Sequence, residues 1–464
     1  MNSDSPLSHS GSQSASQSNE NSVRTLLPNL GAEEGQDWNA VANQPLALVA
    51  ARLWALLFAG QDRFRLPLSN AEYFETRCAD FWPEALGSVP DTAAFPWQEK
   101  AGAHAWLNTE TAMTYAEQTF GVSLAGLSPE KTQEFSDKAR CIQAADSLGL
   151  TPRPLASLIT EISSEECAAP ESLLPRLENL VAAWPAWTEQ RFTLKPRWGT
   201  SGRGRAGGVG ARSVDSPALR GALPRFTKEG GAILEPWLKR ETDLSVSLRV
   251  PGAEAKEKLP IILGSLEMLT TPSGGYRGHC GEVDNRGRVF SAHREDETLR
   301  GEAAMLAGEM QRAGFAGPCG VDAFTYWEEE RLRLRSAVEF NPRVTMGIVT
   351  LGLIRRALPF VRDRLDLSPG RRRGVLMTTF GEGDVDQREA ILARLGDQAL
   401  AFDLTSPSQS PQTSQRKIAS DSAQPQSNPT LAKLLAKAEP FAPTLFFSPD
   451  LESLRLAYRE VSGC

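Results

Sequence analysis

The sequence predicts a mixed α/β (α+β) protein, because strand patterns and helical patterns alternate along most of its length. Asp243 to Val250 sets Leu244, Val246 and Leu248 against Ser245, Ser247 and Arg249, the period-2 signature of a half-buried strand. Leu46 to Phe58 is a strongly apolar run of helical length, and Leu299 to Ala313 is an amphipathic one stopped by Gly314. A chain of 464 residues, 41% hydrophobic and 23% charged, can bury a sizeable core and divide into two or three subdomains.

Taken in order, residues 1 to about 35 read as a disordered polar tail, too poor in apolar groups to offset ordering entropy. Residues 36–130 then form a small N-terminal α/β domain: the helix at Leu46, a short strand at Phe64 to Pro67, and a helix from Thr109 to Phe120 ending at Gly121. Residues 131–350 form the central domain. Ser128 to Leu150 reads as one helical stretch with Ser136 to Arg140 as a turn inside it, and Leu173 to Trp184 as another helix. Strands are expected at Phe192 to Lys195, Ala232 to Glu235, Asp243 to Val250, Ile261 to Leu269, Gly320 to Tyr326 and Leu334 to Phe340. Thr271 to Gly281 reads as a glycine-rich loop holding Tyr276, Arg277 and His279, either facing a substrate or serving a structural or solvated role. Residues 351–464 form a C-terminal α/β module, interrupted by a flexible Ser/Gln/Pro-rich segment at 405–429.

Composition excludes several classes. The net charge of −7 argues against a dedicated nucleic-acid binder. Six scattered cysteines and four scattered histidines make no zinc-site spacing, and reduced thiols in a cytoplasmic protein are expected. No apolar run reaches membrane-spanning length.

The most informative stretch is Arg191 to Val214. A short strand ends at Pro196 and is followed by Gly199, Gly202, Gly204, Gly207, Gly208 and Gly210, with Arg197, Arg203, Arg205 and Arg212 among them. Glycine lets backbone N–H groups crowd an anion, and arginine adds fixed charge, so the loop reads as a phosphate cradle. Gly202-x-Gly204-x-x-Gly207 matches the dinucleotide fingerprint formally, but Val209 to Val214 reads as a returning strand and the next helix starts only at Ser216-Pro217. A Walker loop is excluded, because no Gly-Lys-Ser/Thr follows. An RNA-binding Gly/Arg tract and a plain surface loop stay open.

Downstream, Glu339 and Asn341 share one face of a strand, and the strand from Gly320 could bring Asp322 alongside. Two carboxylates and an amide oxygen make a hard-oxygen set suited to Mg²⁺. A polar strand edge without a metal is the alternative.

Asp137-Lys138, Lys195-Pro196 with its glycine-rich loop, Glu235-Pro236-Trp237-Leu238 with Asp243, then Asp322 and Glu339-Phe340-Asn341-Pro342-Arg343 occur in an order that resembles the ATP-grasp superfamily, over roughly residues 130 to 350. D-alanine–D-alanine ligase and biotin carboxylase belong to that superfamily. The resemblance implies an ATP-grasp fold with a small domain upstream. It also implies Lys138 and Lys195 on ATP phosphates, and glycines including Gly202 and Gly204 in a lid over them. Glu235 to Leu238 would be a hinge reading adenine, with Trp237 or Leu238 against the ring. Asp243, or nearby Glu241, would sit on the ribose, and Asp322, Glu339 and Asn341 on Mg²⁺ or Mn²⁺. Ligases of the D-alanine type carry an arginine where this chain has Gly320. Biotin carboxylase-type members carry one after Glu-x-Asn-Pro, as Arg343 stands here, which implies oxyanion or acyl-phosphate stabilisation by Arg343.

The implied activity is an ATP-dependent, ADP-forming ligase that activates a carboxylate as an acyl phosphate for attack by an amine or thiol. The implied partners are small-molecule carboxylates and amines, with no membrane and no nucleic acid; a homo-oligomer is left open. A phosphotransferase acting on a non-carboxylate acceptor, or a nucleotide-binding regulator without catalysis, are the alternatives.

Overall fold

The computed structural model describes residues 23–36, 38–67, 73–199, 204–271, 274–379, 385–404 and 441–462. Residues 1–22, Gly202 and the 405–429 segment lie outside the described residues. The fold is mixed α/β, as the alternation of patterns predicts, and holds three sheets.

The first sheet consists of β1 (Thr25–Leu27), β2 (Arg63–Pro67), β3 (Tyr73–Arg77) and β4 (Ala103–Ala105), in the order β3-β2-β1-β4. The expectation of a polar tail to about residue 35 is therefore corrected, since β1 pairs in parallel with both β2 and β4. Arg24 beside it makes a buried ion pair with Asp62, Nε to Oδ1 at 2.8 Å. A three-residue strand is too short for a periodicity signal, and its order comes from tertiary contacts.

The second sheet is antiparallel: β5 (Thr160–Ile162), β6 (Arg191–Pro196), β7 (Ala206–Val209) and β8 (Ala232–Pro236), in the order β5-β8-β6-β7. β6 and β7 flank the glycine-rich loop, but the returning strand expected at Val209 to Val214 is corrected: it lies earlier, at Ala206–Val209, and Ala211–Asp215 coil into a short 3₁₀ turn. The helix expected after Ser216 runs Pro217–Lys228, its N-cap hydroxyl accepting from Leu219 N at 3.3 Å.

The third sheet has nine strands: β9 (Arg240–Val250), β10 (Ile261–Thr270), β11 (Tyr276–Asp284), β12 (Val289–Phe290), β13 (Gly317–Glu328), β14 (Arg331–Asn341), β15 (Arg372–Thr378), β16 (Leu400–Asp403) and β17 (Thr444–Ser448). Their order is β14-β13-β9-β10-β11-β15-β17-β16, with β12 paired to β11. Two expectations are corrected here. Tyr276 to Gly281 is strand rather than loop, held between β10 and β15. The C-terminal strands do not form a module of their own, because they extend the large sheet through β11.

The helix Met346–Arg364 is buried along most of its length and packs against helix Pro45–Ala55 and the large sheet. A side chain at Gly352 would run into Leu57, so glycine there permits the close approach of the two segments. One apolar cluster runs from Leu26 through Trp54, Leu266 and Ile354 to Phe447. Among the described residues no helix is long and apolar enough to cross a membrane.

Candidate active site

The second and third sheets meet at a group of charged side chains. Lys195 lies near the end of β6 opposite Ile233 of β8, and Glu235 is two residues further along β8, on the same face. Lys195 Nζ sits 2.7 Å from Glu235 Oε1. The other oxygen, Oε2, accepts from Arg335 Nη1 of β14 at 2.9 Å, so two cations from two sheets share one carboxylate. Glu235 and Arg335 are 2% and 1% exposed. Burial alone would raise the Glu235 carboxyl, but the charges of Arg335 and Lys195 outweigh it and bring it down to about 2. Burial lowers Lys195, which Glu235 opposes and Arg335 reinforces. The two partners therefore move the same way: two cations keep the carboxylate ionised, while burial, with Arg335, outweighs the carboxylates Glu235 and Glu339 that favour the charged lysine.

Lys138 stands nearby. The expected single helix over 128–150 is two, Pro129–Phe135 and Lys138–Ser147, because Asp137 caps the second by accepting from Ala139 N at 2.9 Å. Lys138 is thus a first-turn residue, fixed by its own N–H donating to Arg197 O at 3.0 Å. Its Nζ donates to Gly199 O at the start of the glycine-rich loop and lies 3.3 Å from Glu339 Oε1.

In the antiparallel register Asp322 of β13 faces Glu339 of β14, and Gly320 faces Asn341. Asn341 Nδ2 donates to Asp322 Oδ2 at 3.2 Å. Burial first, and then the charge of Glu339, raises the Asp322 carboxyl above the usual aspartate range. Two carboxylates thus meet at a place where a cation would relieve their repulsion. Among the described residues no group of three His, Cys, Asp or Glu forms a metal cage, and Asn341 turns its amide nitrogen, not its oxygen, toward Asp322. Arg343 donates through Nη2 to Asn341 Oδ1 at 3.2 Å, and its Nε is paired with Glu33 of the first sheet's region.

On the other side of Glu235, Trp237, Leu238 and Asp243 line a cavity of about 420 Å³, with Met268, Thr270 and Tyr458 on its other walls. Asp243 accepts from Arg240 Nη1 and Thr270 Oγ1, both at 2.8 Å. Glu241, the other candidate for the ribose, accepts instead from Trp327 Nε1 at 2.9 Å. The guanidinium groups of Arg205 and Arg240 both approach the ring of Trp237, at 4.2 and 4.7 Å from its centre. Leu238 is buried against Leu155, Phe324 and Tyr326. A second cavity of about 250 Å³ is lined by Glu33, Asn108, Trp198, Gly199, Glu339 and Asn341, among others.

Of the residues singled out in the sequence, Lys195 contacts Glu235, Lys138 contacts Glu339, and Asn341 contacts both Asp322 and Arg343. Trp237, Leu238 and Asp243 are set apart around the larger cavity. Gly204 adopts φ +72°, and Gly202 lies outside the described residues. His279 is withdrawn from any substrate-facing role: it is 3% exposed, bonded to the Tyr276 hydroxyl at 2.8 Å, and burial pushes it down to about 3. Arg335 and Glu33 were not anticipated. Arg335 shares odd parity with Glu339 and Asn341, but an irregularity in the β13–β14 ladder makes Phe324 face Arg335 two residues after Asp322 faces Glu339, so parity alone does not place it. Nothing in the local sequence marks Glu33.

No family model matches the chain, and no curated protein matches it. Solved structures similar to it include the Staphylococcus aureus N5-carboxyaminoimidazole synthetase, 11% identical, with 79% of this chain and 82% of that one covered and a TM-score of 0.43. The Aspergillus clavatus carboxyaminoimidazole ribonucleotide synthase complexed with ATP is 15% identical, with 78% and 80% covered and a TM-score of 0.43. The biotin carboxylase domain of the Hydrogenobacter thermophilus 2-oxoglutarate carboxylase is 11% identical, with 77% and 73% covered and a TM-score of 0.45. At these scores the likeness decides nothing about the site, whose chemistry has to come from its own geometry.

Proposed function

We propose that this protein is an ATP- and Mg²⁺-dependent ligase of the ATP-grasp type, activating a small-molecule carboxylate as an acyl phosphate for attack by an amine or thiol. The observation that carries this reading is the juxtaposition, where the second and third sheets meet, of buried cations with the facing carboxylates Asp322 and Glu339. Lys195 and Arg335 have one carboxylate between them, and the donor-rich loop begins a few residues further on. An anionic ligand beside Lys195 and a divalent cation at the Asp322–Glu339 pair would offset each other's charge there.

Each residue then has a role. Lys195 and Lys138 contact phosphate oxygens as mobile point charges. The cavity lined by Trp237, Leu238 and Asp243 takes the nucleoside; its volume falls in the usual range for small-molecule sites. Asp322 and Glu339 would hold Mg²⁺, with Asn341 joining them once its amide oxygen leaves Arg343, and the ion would supply neutralisation of phosphate charge. Arg343 stabilises the developing acyl phosphate, and a substrate carboxylate competes with Glu33 for its guanidinium. The cavity beside Glu339 and Asn341 takes the carboxylate and its nucleophile.

The test is a screen for ADP release over amino acids and short peptides paired with candidate amines, reading free phosphate and phosphorylated product separately. Free phosphate formed only when both partners are present supports the ligase. A stable phosphorylated product in its place means a phosphotransferase, and tight Mg-ATP binding without turnover across the panel means a regulator.

A further inference from the structure

Glu235 is 2% exposed and cannot be left without a cation at any stage of a binding cycle. Its two partners differ in what they can reach. The Lys195 side chain is 14% exposed, whereas that of Arg335 is 1% exposed. Of the two, Lys195 is the one free to move to an incoming ligand, and a shift of its Nζ toward one draws it away from Glu235 Oε1, which it holds at 2.7 Å. Arg335 uses one nitrogen, Nη1, on Oε2, while its Nε and Nη2 are buried and have no hydrogen-bond partner among the described residues. A buried guanidinium with idle donors is expensive unless those donors have work in another state. A planar fork already bonded to one oxygen of a carboxylate is suited to take both.

We infer that Arg335 is a positioning residue of the nucleotide site: it takes over both oxygens of Glu235 when Lys195 leaves for the phosphates, so that phosphate binding does not strand a buried carboxylate. This rests on the nucleotide reading above. Because Arg335 is on β14 and Glu235 on β8, the exchange also tightens the link between the sheet carrying Lys195 and the sheet carrying Asp322 and Glu339.

The experiment measures binding of Mg-ATP and of adenosine, by calorimetry, to the native protein, Arg335→Met, Glu235→Gln and the double variant, with the thermal midpoint of each. Without Arg335 the lysine stays on Glu235, so Arg335→Met should lose at least tenfold in ATP affinity while adenosine, which has no phosphate, stays within threefold. Removing the charge that traps the lysine should restore binding, so the double variant should return to within threefold of Glu235→Gln. Equal losses for ATP and adenosine, native ATP affinity in Arg335→Met, or no restoration in the double variant would each overturn the inference. If Arg335→Met does not fold, Arg335→Lys replaces it, keeping the charge without the fork. A three- to tenfold loss for ATP alone supports the inference, and native affinity overturns it. Failure of the native protein to bind Mg-ATP defeats the nucleotide reading itself. Binding that Lys195→Ala weakens and Arg335→Met leaves intact defeats the inference alone.

Discussion

Glu235 and Arg335 form a buried ion pair at 2.9 Å that joins the four-stranded sheet carrying Lys195 to the nine-stranded sheet. Its strength is pH-dependent in a direction that can be worked out. The Glu235 carboxyl lies at about 2 in the folded protein against an ordinary 4.5, so the folded state binds its proton more weakly than the unfolded state does. The stabilisation, about 3 kcal/mol, is complete above the unfolded value and is lost as pH falls from there through the folded one. Glu235→Gln should therefore flatten the fall in thermal midpoint between about pH 4.5 and pH 2. A titration as steep as that of the native protein would remove Glu235 from this role.

Lys195→Ala should weaken Mg-ATP binding by one to two orders of magnitude, the range expected for a charge-assisted hydrogen bond worth about 1.5–3 kcal/mol. Calorimetry checks this, and unchanged affinity would defeat the phosphate assignment.

Replacing Glu339 and Asn341 together by alanine should abolish Mg²⁺-dependent turnover, by roughly a hundredfold or more. The protein should still unfold cooperatively, since Glu339 keeps partial access to solvent. Full residual activity, or activity equal with and without Mg²⁺, would sink the metal assignment.

Asp62→Asn leaves Arg24 buried without its counter-charge and should destabilise the first sheet by about 3–5 kcal/mol. Chemical denaturation measures it, and a change below about 1 kcal/mol would mean that β1 is held by its strand partners alone.

Much of the fold was legible because the signals were local. Thr109 caps the helix Glu110–Phe120 and Gly121 ends it in the left-handed conformation, as the sequence pattern predicts. The strands that hold Lys195, Asp322 and Glu339 also fall where alternation puts them. What escaped was set by partners distant in sequence. Thr25–Leu27 is a strand only because β2 and β4 flank it. Asp137 interrupts a continuous helical pattern by capping, a competition that periodicity does not register. Tyr276 to Gly281 has loop-like glycines for a different reason: a Cβ on Gly278 would collide with Met377 O of the neighbouring strand. Arg335 escaped because its role depends on a carboxylate a hundred positions earlier.

The sheet order β15-β17-β16 has a consequence for how the molecule is built. β16 is paired with β17, so Leu400–Asp403 leaves the ribosome before the strand it will lie against exists. Until Thr444–Ser448 emerges, β15 presents an open edge with buried-type residues Val375, Leu376 and Met377 behind it. Completion of the sheet therefore waits for Thr444–Ser448, and a fragment ending before Thr444 would carry a sticky edge in place of a finished one.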